Sequence, residues 1–293
     1  MLRTHRWLRA VSLAFTVFTV TCKGDVGPTG PTGSTGPQGP GGPAGPNAPS
    51  GPANGRTIYG VEATNMSRRV TISGLQVGES VYGIDFGPAD GRLYALGSTS
   101  RVYTLDTLSG VATAVSTTAF TPTLTGSNFG FDFNPVPNRI RVHGDLTQNL
   151  RLVPRLGGAT DDTVAAMDGN LTYAVGDSGA GRTPAIGGTA YTNSVAGATT
   201  TTLYAIDYAR DVLTTLANPN DGVMTTVGAV GVNTTGDVGF DIAGNNGTAY
   251  VTLTVGGGFT GSTLYVINLA TGTLFPVGGV ANAAPLRGIA VAP

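Results

Sequence analysis

The chain has 293 residues, only 11% of them charged, and a formal net charge of −1. So weak and balanced a field excludes nucleic acid as a partner. A single cysteine excludes a disulfide within the chain, and only two histidines, His5 and His143, are present.

Residues 1–21 have the form of a secretory signal peptide. Arg3, Arg6 and Arg9 give a positive leader, and residues 10–21 form an uncharged, largely apolar run of twelve. Twelve residues are too few to cross a bilayer as a helix. Thr19-Val20-Thr21-Cys22 resembles a bacterial lipoprotein box, which makes Cys22 the expected lipidation site. The expectation is export, with a lipid anchor as the only membrane contact, at the cell surface or periplasmic face. The alternative is a fully secreted protein.

Residues 22–55 hold that cysteine and a collagen-like spacer. Glycine falls at every third position from Gly24 through Gly45, and Gly51-Pro52-Ala53 resumes the pattern after Ala48-Pro49-Ser50 breaks it. This is the Gly-X-Y period of collagen, where only glycine fits at the axis of three polyproline-II chains. A single-chain stalk, extended at about 3 Å per residue, would reach on the order of 90 Å. The stalk is favoured over a homotrimer, because a proline-rich spacer needs no partner.

From residue 56 to 293 the composition shifts to Thr, Val, Gly, Leu and Ala, and no helical period is sustained. Residues 81–116 read as four short strands joined by turns, one of them at Asp90-Gly91. One such meander has two open edges and little core, so it is expected as one blade among several. Its first strand, Gly83-Ile84-Asp85-Phe86, recurs as Gly130-Phe131-Asp132-Phe133 and Gly239-Phe240-Asp241-Ile242. Weaker copies are Gly188-Thr189-Ala190-Tyr191 and Gly288-Ile289-Ala290-Val291, and the steps of 47, 58, 51 and 49 residues are blade-sized. A third-strand signature recurs at Val102-Tyr103-Thr104-Leu105-Asp106, Leu203-Tyr204-Ala205-Ile206-Asp207 and Leu264-Tyr265-Val266-Ile267-Asn268.

The chain's end, residues 286–292, is a first strand with nothing after it, whereas residues 56–73 hold strands with none before them. The expected fold is therefore an all-β propeller of about five four-stranded blades, closed by pairing of N- and C-terminal strands. In the first of these blades the strands at 57–64 and 70–73 are clear, and a strand between them is not. An insertion at 167–182 keeps six blades as the alternative.

The blocks at 83–106, 129–135, 190–207 and 239–244 resemble the bacterial secreted family known as domain of unknown function 4394. The resemblance covers nearly all of residues 56–293. It implies a propeller-like repeat domain in exported proteins and brings no established activity with it.

Asp85, Asp132 and Asp241 share one blade position, on the strand expected beside the central channel. Three carboxylates there suit a hard cation such as calcium, which takes oxygen ligands. The structural alternative has Asp85 and Asp132 meeting Arg92 and Arg139, seven residues on, or capping the turn between them. Arg139, Arg141, Arg151 and Arg155 cluster on the second blade and offer an anion-binding face, against outward-pointing arginines on exposed strands. His143 and Asp145 offer an acid–base dyad, against a solvated turn histidine. The folded part has no tryptophan, since Trp7 lies in the signal, and its recurrent tyrosines read as packing between blades.

The function these features favour is an exported, surface-anchored binding or structural display module for a protein or glycan ligand. An enzyme is the less favoured reading: an extracellular propeller hydrolase or lactonase-like protein, with a metal or acidic residues in the channel.

Overall fold

The computed structural model describes residues 71–154, 164–256, 261–280 and 284–293, with the backbone of Leu13–Thr19 and Thr57–Glu62. Those seven residues apart, the expected signal peptide lies outside the described residues, as do Cys22 and the collagen-like spacer. Short runs of β-branched and aromatic residues between Gly, Asn and Asp turns form strands throughout. The one helical element among the described residues is a 3₁₀ turn at Pro219–Asp221.

Four antiparallel sheets are built from consecutive strands. The first is Val81–Phe86, Leu93–Gly97, Arg101–Leu105 and Ala112–Ala114. The second is Phe129–Asn134, Arg139–Gly144, Asn149–Val153 and Val164–Met167. Ile186–Tyr191, Leu203–Asp207, Val212–Leu216 and Val223–Ala229 make the third. The fourth is Thr234–Ile242, Ala249–Val255, Thr263–Ile267 and Leu274–Gly279. The architecture is a propeller: the first strand of each sheet lies innermost and packs against that of the next.

Leu286–Val291 fills the gap between the fourth and first inner strands. It pairs antiparallel with Thr57–Glu62, setting Gly60 opposite Ile289 and Ile58 opposite Val291. Thr57–Glu62 pairs in turn with Leu13–Thr19, whose other edge meets Thr71–Ile72. This closing sheet thus takes the strand missing between 57–64 and 70–73 from ahead of the spacer. Leu13-Ala14-Phe15-Thr16-Val17-Phe18-Thr19 is β-branched and aromatic enough to serve as a strand.

Two sequence expectations fail. The insertion at 167–182 adds no sixth blade: its strand Thr172–Tyr173 joins the third sheet parallel to Val223–Ala229. Leu203–Asp207, expected as a third strand, is the second, paired directly with Ile186–Tyr191. A long connection, residues 192–202, separates the two strands in sequence.

The core lies between sheets. Tyr94, Leu96 and Val102 of the first pack with Phe131, Phe133 and Val142 of the second. Ala190, Ile206 and Leu213 of the third meet Val238, Phe240 and Val251 of the fourth. Tyr250 and Leu264 meet Ile289 and Val291, and Ala290 joins Ile84 and Tyr103.

Candidate functional site

The Gly-x-Asp-x repeat has a physical cause on the inner strands. A Cβ placed on Gly130 would lie 2.5 Å from Thr189 Cβ, and one on Gly83 would lie 2.6 Å from Phe131 Cβ. Carbon atoms in contact sit about 3.5–4 Å apart, so only glycine permits this approach. With the strands this close, the residue two places on reaches the neighbouring backbone. Asp85 accepts the N–H of Phe133 at 2.7 Å, Asp132 that of Tyr191 at 3.0 Å, and Asp241 that of Val291 at 2.6 Å. Asp85 and Asp241 also accept the N–H of the next residue in their own strand. Each aspartate is a staple from one inner strand to the next.

The staples converge on the axis. Asp85, Asp132 and Asp241 are all buried, and one oxygen from each lies within 4.8 Å of the others. Ala190 and Ala290 hold the equivalent positions of the other two inner strands, so only three of the inner strands bring a charge. Burial, then repulsion from Asp241, raises the Asp85 carboxyl well above its ordinary range, against the backbone N–H bonds it accepts. Burial, then Asp85 and Asp241, does the same to Asp132. Burial also pushes Asp241 up to about 6. Three buried carboxylates at this spacing need protons or a cation between them. A cavity of about 180 Å³ lies against Asp85 and Asp241, rimmed by Ser194, Asn245 and Pro293.

The arginine partners expected for these aspartates are elsewhere. Asp85 lies opposite Tyr94 and Asp132 opposite Arg141 across their hairpins. Arg92 is exposed, and Arg139 donates to the carbonyls of Pro137 and Asn138. The carboxylates point inward to the next blade, away from the turn that carries those arginines. The His143–Asp145 dyad is also absent. His143 is fully buried with Nδ1 on Thr189 Oγ1 at 2.8 Å, while Asp145 accepts from Ser127, Asn128 and Tyr208. Burial, then Arg141, lowers the His143 pKa and keeps the imidazole neutral. The arginine cluster forms in part: Arg141 is buried and Arg151 half exposed, both on Asp168, and Arg155 lies outside the described residues.

Residues with no motif also hold this framework. Glu79, 2% exposed, accepts from Gln76 N, Thr99 N, Thr99 Oγ1 and Tyr103 Oη. Its nearest sequence signal is the Ser98-Thr99 turn and the tyrosine of the third strand, and nothing in their spacing marks the carboxylate. The tyrosines pack as expected: Tyr103, Tyr191 and Tyr250 are buried, and the Tyr94 ring meets Phe133 of the second sheet at 4.9 Å.

Fold and site define an all-β propeller with a cluster of carboxylates on its axis. The chain belongs to the family described as Domain of unknown function (DUF4394), which matches residues 57–290. No curated protein matches it. Among solved structures it is similar to a Myxococcus xanthus glutaminyl cyclase at 14% identity and a TM-score of 0.40, covering 73% of this chain and 88% of that one. It is also similar to the Malassezia sympodialis allergen Mala s 1, at 10% identity and a TM-score of 0.34, over 78% of this chain and 68% of that one.

Proposed function

We propose that the chain is an exported display or binding module whose five-bladed head is locked by a divalent cation on its axis. The closing sheet counts as the fifth blade, an incomplete one in the mature chain: a cut before Cys22 removes Leu13–Thr19 and leaves Leu286–Val291 paired with Thr57–Glu62. Cys22 with the spacer then serves as anchor and stalk. The carrying observation is the convergence of Asp85, Asp132 and Asp241 within 4.8 Å. Two oxygens on one calcium, each at about 2.4 Å, lie at most about 4.8 Å apart, so the cluster fits that ion. Carboxylates already stapled to backbone N–H groups are held in place, which suits a structural ion.

The test uses pH and calcium together. A carboxyl whose folded pKa lies above its unfolded value contributes stability below the unfolded value and loses it as pH rises through the folded one. For Asp241 that loss runs from the ordinary carboxylate range up through about 6. In chelator, the head should therefore lose more stability between pH 5 and pH 8 than Asp85→Asn/Asp132→Asn does. At pH 8, calcium at about a hundred times its Kd should restore roughly 3 kcal/mol to the wild type alone. Thermal midpoints that ignore calcium at pH 8 would sink the proposal.

The cavity against Asp85 and Asp241 supports a second reading, a hydrolase or lactonase-like enzyme using a raised carboxyl as general acid. Ester or lactone turnover, lost in Asp85→Asn with folding intact, is the result that reading requires.

A further inference from the structure

The blade interfaces described above are apolar, but the seam between the second and third sheets is polar. Buried Arg141 donates from Nη1 to Asp168 at 2.6 Å and to Asn149 at 2.8 Å, and from Nη2 to Asn220 at 2.7 Å. Arg151 donates to both oxygens of Asp168, at 2.6 and 2.9 Å. One carboxylate therefore serves two guanidiniums. A third guanidinium, Arg139, bonds only backbone carbonyls, and no carboxylate among the described residues pairs with it. All three line a cleft of about 540 Å³, whose far wall carries Asn218, Asn220 and Asp221 from the 3₁₀ turn between two strands of the third sheet.

A buried ion pair holds a fold together no better than well-packed apolar side chains of the same volume. The other seams show that this chain can make such packing. What the polar seam supplies is orientation: Arg141 is held by Asp168, Asn149 and Asn220. Arg151 keeps its Nη1 for a ligand, and Arg139 its Nε and Nη2. Guanidinium groups fixed this way match the paired oxygens of a carboxylate or phosphate. The volume is that of a small-molecule site.

We propose that this cleft binds a small organic oxyanion, a carboxylate or phosphate ester with the bulk of about one sugar ring. Arg139 and Arg151 clamp the oxyanion, and the amides of Asn218 and Asn220 meet hydroxyl groups. The proposal is independent of the axial cation.

Calorimetric titration of the full chain with glucuronate, inorganic phosphate and neutral glucose tests it. At least one anion should bind saturably, more weakly as salt rises, while glucose does not. Arg139→Ala should weaken that binding roughly tenfold. Because Arg139 touches only its own turn, the variant should keep the wild-type thermal midpoint, and Arg139→Gln repeats the test if it does not. Binding of phosphate alone identifies a phosphorylated ligand, and binding of glucuronate a sugar acid. The proposal is overturned if neither anion saturates below ~20 mM, if glucose binds equally well, or if the folded Arg139 variant keeps full affinity.

Discussion

Replacing Gly130 by alanine is expected to lower the thermal midpoint of the head by roughly 6–12 °C. The new Cβ would lie 2.5 Å from Thr189 Cβ, 2.6 Å from Thr189 N and 2.8 Å from the carbonyl carbon of Gly188. Two of these are backbone atoms of an inner strand, which cannot rotate aside. The third sheet would have to move outward, but it is held in the ring by the fourth sheet on its other side. That places the cost near the upper end for overpacking, about 3 kcal/mol. The same displacement would stretch the bond from Tyr191 N–H to Asp132, so the calcium response proposed for the axial carboxylates should weaken with it. Gly278→Ala is the control, since its added Cβ meets nothing within 4 Å. Equal midpoints for the two variants would show that the inner strands do not need this contact distance.

Glu79→Ala should cost about 3–4 kcal/mol, read by denaturant unfolding. The carboxylate lies under the first sheet with two donors on each oxygen: Thr99 N and Oγ1 on Oε1, Gln76 N and Tyr103 Oη on Oε2. Burial, then the bond to Glu79, pushes the Tyr103 hydroxyl up to about 12, so it is a donor throughout the working range. Alanine leaves that hydroxyl buried without the carboxylate, and takes the acceptor from the N–H of half-buried Thr99. Adding Tyr103→Phe removes one orphan, and the double variant should recover about 1 kcal/mol. If the double variant is no more stable than Glu79→Ala, the tyrosine is not the group that suffers.

The four strands of the first sheet are legible within residues 81–116, because its turns are short and its apolar residues alternate. The third sheet differs by one strand: Leu203-Tyr204-Ala205-Ile206-Asp207 is close in pattern to the third strands at 102–106 and 264–268, while residues 192–202 lengthen the hairpin before it. Pattern marks which residues face a core, and says little about how far along the sheet a strand lies. The insertion at 167–182 looked long enough to begin a blade for the same reason. Its one strand instead extends an existing edge through parallel bonds that no local signal announces.

The site divides in the same way. Recurrence of Gly83, Gly130 and Gly239 with Asp85, Asp132 and Asp241 was visible as a period, and it placed three acids at one level of the ring. Their partners were not visible: the hairpin arginines seemed nearer in sequence, but the bonds run to Phe133, Tyr191 and Val291 on the following blade. Asp168 and Asn220, which fix Arg141, come from loops with no repeat to mark them.

By itself the amino-acid order determined the strand-forming character, the blade length and the inner Gly-x-Asp position, since each follows from side-chain alternation and steric need along a few residues. Only the tertiary structure decided what those positions face. Circular closure brings atoms tens of residues apart to within hydrogen-bonding distance, and burial there alters their charge. Neither effect leaves a trace in local composition.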